Sequence, residues 1–335
     1  MRFRVVAPIT TLLLLTLLPA ATAVAAGPQA AGSQSRAHVL AYWTPARMQA
    51  ARPRDFAFDS VRGFHPDAKP GGGGSTGGGT VTGASWPASA SDPITRATGR
   101  VLFSMGGGDW ICSGSVATDT RSGFSTVLTA GHCVVDSDTG EFATNWMFIP
   151  AFDLAPTYTC ASATYGCWTA TALVARREFA TAGAFNDTAV THDWGFAVVA
   201  GGGKQSNSTA QLDTTVGGTF ALDATTAAAG STLTALGYPA AGKYHGKDLT
   251  YCQGPVGRDA QTANLTYSLA CDMTGGSSGG PWVSNVSAGY GATLRSLNSY
   301  GYSGIKNMYG PIFNAETTAT YTAAKGATNG DILVP

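Results

Sequence analysis

From Gly99 onward the chain is cut into short apolar or β-branched runs separated by Gly, Asp, Asn and Ser. Val101–Ser104, Ser125–Thr129, Trp146–Ile149, Ala170–Val174, Gly195–Val199, Thr232–Leu236, Asp248–Tyr251, Pro281–Val283 and Ala292–Leu297 are such runs. Runs of this length fit strands better than helices. Their recurrence predicts an all-β sandwich or barrel. One helix is expected, over Pro311–Lys325, with Pro311 in its first turn and Gly326 as its stop.

The 335 residues are 44% apolar and only 12% charged, enough to bury a sizeable core. Lys and Arg (20) balance Asp and Glu (20) without a basic cluster, which argues against a nucleic-acid partner. Met1–Ala26 reads as a secretory signal peptide. Arg2 and Arg4 precede the apolar run Val5–Leu18, and Ala21-Thr22-Ala23 and Ala23-Val24-Ala25 are A-x-A sites. The run is shorter than the about 20 residues that a membrane span needs. Gly27–Pro70 lacks cysteine and carries Arg47, Arg52, Arg54 and Arg62, and Gly71–Gly79 is a flexible linker by composition. This order predicts a propeptide and linker over residues 27–83, ahead of a domain over 84–335, with the cut between Gly71 and Arg100. The alternative is an N-terminal arm that is never removed. The six cysteines lie between Cys112 and Cys271. In a secreted chain an even number reads as disulfides, with the connectivity left open.

Three segments carry reactive chemistry. Ser278 lies in Gly275-Gly276-Ser277-Ser278-Gly279-Gly280-Pro281 and is the candidate nucleophile. Its hydroxyl needs a base, and the amides of Gly276 and Ser278 can converge on a developing oxyanion. His132, in Thr129-Ala130-Gly131-His132-Cys133, is the candidate base. Asp193, in His192-Asp193-Trp194-Gly195, is the candidate carboxylate that orients the imidazole. His192 is expected to point to the opposite face of a strand from Asp193. His245 is expected in a solvated turn. No histidine follows Ser278, so the Gly276-x-Ser278-x-Gly280 pattern does not fit an α/β-hydrolase, and an aspartate that follows the histidine does not fit a subtilisin.

Cys112-Ser113-Gly114 followed by Thr129-Ala130-Gly131-His132-Cys133 resembles the first barrel of trypsin-like serine peptidases. Asp272–Pro281 and His192–Gly195 look more like the secreted bacterial branch related to V8-like glutamyl endopeptidases. The resemblance covers about Gly99–Lys325. It implies two six-stranded antiparallel β-barrels, over about 99–205 and 206–335, with the site in the cleft between them and a helix near the C-terminus. It also implies a Cys112–Cys133 disulfide. Together with proximity, it suggests that Cys160 pairs with Cys167 and Cys252 with Cys271. Ser277 stands where digestive members carry an aspartate that binds the new N-terminus, so activation is expected to follow removal of a covering segment. Asp272 stands where trypsin-like members place the carboxylate that selects basic residues, and Asn298 where glutamyl enzymes place a histidine. Ser299-Tyr300-Gly301 is expected to pair with extended substrate as an added strand.

The expectation is a secreted, extracellular serine endopeptidase that acts as a monomer on polypeptides, away from membranes. The alternatives are a non-catalytic binding or adhesive protein on the same fold, or an esterase or narrow processing enzyme. No cofactor is implied. Cys160 and Cys167 are spaced too widely for a zinc knuckle, and no calcium-loop motif occurs, so no metal is expected.

Overall fold

Six antiparallel strands in the first half close on themselves: Thr98–Met105, Gly108–Ala117, Ser125–Thr129, Thr144–Pro150, Trp168–Arg176 and Gly195–Val199. The computed structural model describes Met1 and residues 34–59, 63–66, 82–286 and 292–335. Apart from Met1, the signal-peptide segment lies outside the described residues, as does the Gly71–Gly79 linker. The barrel closes where Ser115, Val116 and Ala117 pair with Leu128, Val127 and Thr126. Closure leaves no unpaired edge inside the ring. Val101, Phe103, Val116, Val127, Phe148, Leu173 and Phe196 are among its buried residues.

The second half holds two ladders. One runs through Ala221–Leu222, Thr293–Leu297, Pro281–Ser284, Thr232–Gly237, Thr250–Pro255 and Ala84–Ser85. The other runs through Gly257–Arg258, Thr266–Ala270 and Asn307–Pro311. They meet at Val256, between Pro255 and Gly257, and at an antiparallel bridge between Tyr300 and Tyr309. Leu233, Tyr267, Leu269 and Trp282 fill this second core. Disulfides join Cys112 to Cys133, Cys160 to Cys167 and Cys252 to Cys271. These are the pairings suggested by the resemblance and by proximity.

The C-terminal helix spans Ala315–Gly326, not Pro311–Lys325. Pro311 ends a strand opposite Thr266. Ladder pairing there outweighs the preference of proline for a first helical turn. The helix starts instead after Asn314. Its side chain accepts from the amides of Glu316 and Thr317, and Thr317 accepts from the Asn314 amide. This is a capping box. Gly326 is the last helical residue rather than the stop. Helix and tail return to the first barrel. Tyr321 stacks on Phe196 at 5.3 Å, and Ile332–Val334 runs parallel to Val174–Arg176.

Short helices absent from the sequence reading occur at Arg36–Tyr42, Pro45–Ala50, Pro93–Ala97, Arg177–Ala180, Asp187–Thr191 and Leu212–Val216. None is long enough to build a 3.6-residue apolar period. The first two lie ahead of the linker and pack on the first barrel. Val39, Trp43 and Met48 are buried there, and the Trp43 indole donates to the Asn145 carbonyl at 2.5 Å. Arg36 donates to the carbonyls of Cys167 and Gly203. Among the described residues no helix is long and apolar enough to cross a membrane.

Asp153 sits at the junction of the two halves, where the Tyr238 hydroxyl donates to it at 3.3 Å. Burial raises its carboxyl to about 6, against the Tyr238 hydrogen bond. A folded-state value above the unfolded one makes the folded chain hold the proton more tightly, so stability is lost as pH rises from about 4 to about 6. Asp153→Asn should raise the Tm at pH 7.5, corresponding to about 1–2 kcal/mol after discounting for partial solvent screening, and leave it nearly unchanged at pH 4. Thermal melts at the two pH values test this; equal shifts at both would show that the carboxyl is not perturbed.

Candidate active site

Strand register sets the first two groups. Gly195 pairs with Thr129 at one end of two neighbouring antiparallel strands. His132 lies just beyond Thr129 and Asp193 just before Gly195, so both leave the barrel at that end. A tight turn over Gly131–Cys133 presents His132, and the Cys112–Cys133 disulfide fixes its neighbour. Asp193 Oδ2 lies 2.8 Å from His132 Nδ1, while Oδ1 accepts from the His132 backbone amide at 2.8 Å. The Ser299 hydroxyl donates to Oδ2 at 2.5 Å. Both His132 and Asp193 are fully buried. A buried carboxylate is costly unless its oxygens are satisfied, and here two fixed donors and one imidazole nitrogen surround it.

The Ser278 loop belongs to the second barrel but is gripped by the first. The Ser113 amide donates to the Ser278 carbonyl at 2.7 Å, and the Ser113 hydroxyl to the Gly276 carbonyl at 2.9 Å. Ser113 follows Cys112, so one short stretch links the His132 turn to the Ser278 loop. Gly276 and Gly279 have φ values of +96° and +80°, a region that favours glycine. A Cβ at Gly279 would also stand 2.3 Å from Thr129 Oγ1 and 2.5 Å from the Ser113 carbonyl. Ser277 donates to the Thr274 carbonyl at 2.8 Å. Ser278 is 2% exposed, and its hydroxyl donates to Asp55 Oδ1 at 3.3 Å rather than to His132. Among the described residues no hydrogen-bond partner reaches His132 Nε2.

The remaining sequence candidates separate. Asn298 is fully buried and engaged internally. Its amide donates to the Leu236 and Ser277 carbonyls, and its oxygen accepts from the Trp282 indole. It braces the Ser278 loop rather than facing an open pocket. Ser299 contributes a side chain to Asp193, a role its position in a substrate-pairing segment did not suggest. Tyr300 donates to buried Asp259 at 2.6 Å, and burial, followed by that hydrogen bond, pushes its phenol up. Gly301 pairs with Ala57 of the N-terminal segment. Asp272 is already occupied. Its Oδ1 accepts from the Tyr244 hydroxyl and the Gly83 amide, and its Oδ2 contacts Lys243 Nζ at 2.7 Å. Burial alone would raise its carboxyl, but these donors hold it below the usual range.

His192 does not lie on a strand. It follows the short helix Asp187–Thr191, with Nδ1 at 2.8 Å from the Thr188 carbonyl and Nε2 at 3.2 Å from Glu316. His245 is exposed in its turn. Sequence reasoning also missed Phe185, whose ring lies 5.8 Å from that of His132. A single phenylalanine in a loop gives no signal by itself. Cys112, Cys133 and His132 cluster with metal-like spacing, but the two sulfurs are joined to each other and are not free to ligate.

Neither a scan against protein-family models nor a search of curated proteins gives a match. Solved structures do. A thermostable serine protease, AL20, from an extremophilic microorganism is 33% identical, with 72% of this chain and 100% of that one covered and a TM-score of 0.59. The chain belongs to the serine proteases. Protease Anisep from Arthrobacter nicotinovorans is 35% identical over 69% of this chain and 96% of that one, with a TM-score of 0.56. A Glu endopeptidase, solved in complex with MPD, shares the fold at 18% identity, covering 73% of this chain and 97% of that one, with a TM-score of 0.53. The two-barrel, chymotrypsin-like architecture expected from the sequence is therefore the architecture of this protease.

If Asp193 orients His132 for proton transfer, Asp193→Asn should reduce the rate of hydrolysis of labelled casein by about 10⁴-fold. Ser299→Ala, which removes one of the donors to Asp193, should cost about tenfold. Rates within twofold of wild type for both variants would remove Asp193 from the mechanism.

Proposed function

We propose that this protease is a secreted serine endopeptidase working through an acyl-enzyme. Ser278 Oγ attacks the peptide carbonyl, and His132 Nε2 takes its proton. The imidazolium is held by Asp193, and the amides of Gly276 and Ser278 receive the oxyanion. Collapse of the tetrahedral species breaks the C–N bond, and His132 returns the proton to the leaving amine. Water then repeats the sequence on the ester. The observation that carries this reading is the buried His132–Asp193 pair, joined through both carboxylate oxygens. Nδ1 is committed to the carboxylate, which leaves Nε2 as the nitrogen for proton transfer.

Within the same proposal, residues 1–26 are a signal peptide, 27–83 a propeptide and linker, and 84–335 the peptidase domain. The likeness of Asp272–Pro281 and His192–Gly195 to the V8-like secreted bacterial branch supports kinship with that branch. Ser299-Tyr300-Gly301 takes an extended polypeptide as an added strand. The Lys243 and Tyr244 contacts on Asp272 argue against a free anionic pocket for basic side chains. Mass-spectrometric profiling of cuts in a mixed peptide library, with Ser278→Ala as control, tests the reading. Cuts by the processed protein should vanish in the variant, without a preference for Arg or Lys before the cut. Cuts that persist in Ser278→Ala would sink it.

A further inference from the structure

The site just described is covered by the chain's own N-terminal segment. Arg52–Pro53 pairs parallel with Trp110–Ile111, and the Arg54 guanidinium donates to the His132 carbonyl at 3.0 Å and to Asp136 at 2.9 Å. Asp55 follows, with Oδ1 on the Ser278 hydroxyl. The approach is close: a Cβ at Gly275 would stand 2.9 Å from Pro53 Cβ and 3.0 Å from Asp55 Oδ2. Phe56 is buried, stacked on Phe185 at 4.0 Å with nearly parallel planes, and edge-on to His132 at 5.3 Å. Ala57 and Phe58 then pair parallel with Gly301 and Tyr302.

We propose that Arg52–Asp59 is a built-in inhibitor that fills the substrate cleft unproductively, recognised through an aromatic-binding subsite formed by Phe185 and His132. The inference rests on Ser278 being the nucleophile. What meets Ser278 Oγ is a side-chain carboxylate, not a peptide carbonyl. A carboxylate is a poor electrophile, and by accepting a hydrogen bond from the hydroxyl it turns the serine away from His132 Nε2. The segment occupies the edge at Gly301 that an added substrate strand would use, so binding of the two is mutually exclusive. The ring of Phe56 supplies the apolar anchor. Departure of the segment leaves the Phe185 face open to an aromatic side chain from a polypeptide substrate.

The test uses the intact full-length chain and a fluorophosphonate. Ser278 Oγ displaces fluoride at phosphorus, the P–F bond breaks, and the proton passes to His132. Intact-mass measurement should show the wild-type chain labelling slowly. Phe56→Ala and Asp55→Ala should label about ten- to a hundredfold faster, as the closed population falls. A synthetic peptide of residues 52–59 should slow labelling of Phe56→Ala again, whereas the same peptide with alanine in place of Phe56 should not. Rescue in trans separates blocking of the cleft from general loosening of the fold. Wild type labelling as fast as both variants would overturn the inhibitor while leaving the nucleophile intact. Failure of every form to label, with Ser278→Ala as the reference, would overturn the nucleophile reading and the inhibitor with it.

Discussion

The arrangement turns on one buried carboxylate. Asp193 has no access to water, and an ion in that position is tolerated only if the protein replaces its hydration. The replacement comes from both halves of the molecule. His132 supplies a backbone amide and an imidazole nitrogen from the first barrel, and Ser299 supplies a hydroxyl from the second. The charge therefore ties the barrels together at the point where their loops must act jointly. Removing any of these contacts leaves a partly unsatisfied ion, so the geometry of the imidazole and the seating of the barrels are coupled.

Ser113 provides the second tie. It reaches the Ser278 loop with its amide and its hydroxyl, while its neighbour Cys112 is bonded to Cys133 beside His132. The loop can lie this close only because Gly279 has no side chain to meet Thr129. The N-terminal segment uses the same packed surface. Its helices bury Val39, Trp43 and Met48 on the first barrel and deliver Arg54, Asp55 and Phe56 to the mouth of the cleft.

Legibility followed the range of the interactions. Ser125–Thr129 and Gly195–Val199 were readable to the residue because both are buried runs of apolar or β-branched residues bounded by turn residues. The strand over Asp248–Tyr251 begins later, at Thr250, and continues to Pro255, where Gln253 and Gly254 offer little apolar signal. The C-terminal helix was displaced by a few residues because Pro311 is claimed by the ladder with Thr266. The roles of Asn298 and Ser299 were not legible. Both are small polar residues, and only their neighbours decide that one braces a loop while the other holds a carboxylate.

The sequence by itself determined the residue types and their order: a serine among glycines, a histidine beside a cysteine, and an aspartate before an apolar strand. It also determined the all-β class, since short runs between turn residues bury their side chains best as strands. The tertiary structure decided which polar atoms satisfy one another. Hydrogen bonds between Asp193 and Ser299, or between Ser278 and Asp55, join residues far apart in the chain, and no local pattern encodes them. It also decided that residues 52–59, which read as part of a cysteine-free leader, lie across the cleft. Three apolar residues in a row carry no period of their own, and only the folded barrels supply the Phe185 face and the Gly301 edge against which a strand at Phe56–Asp59 is stable.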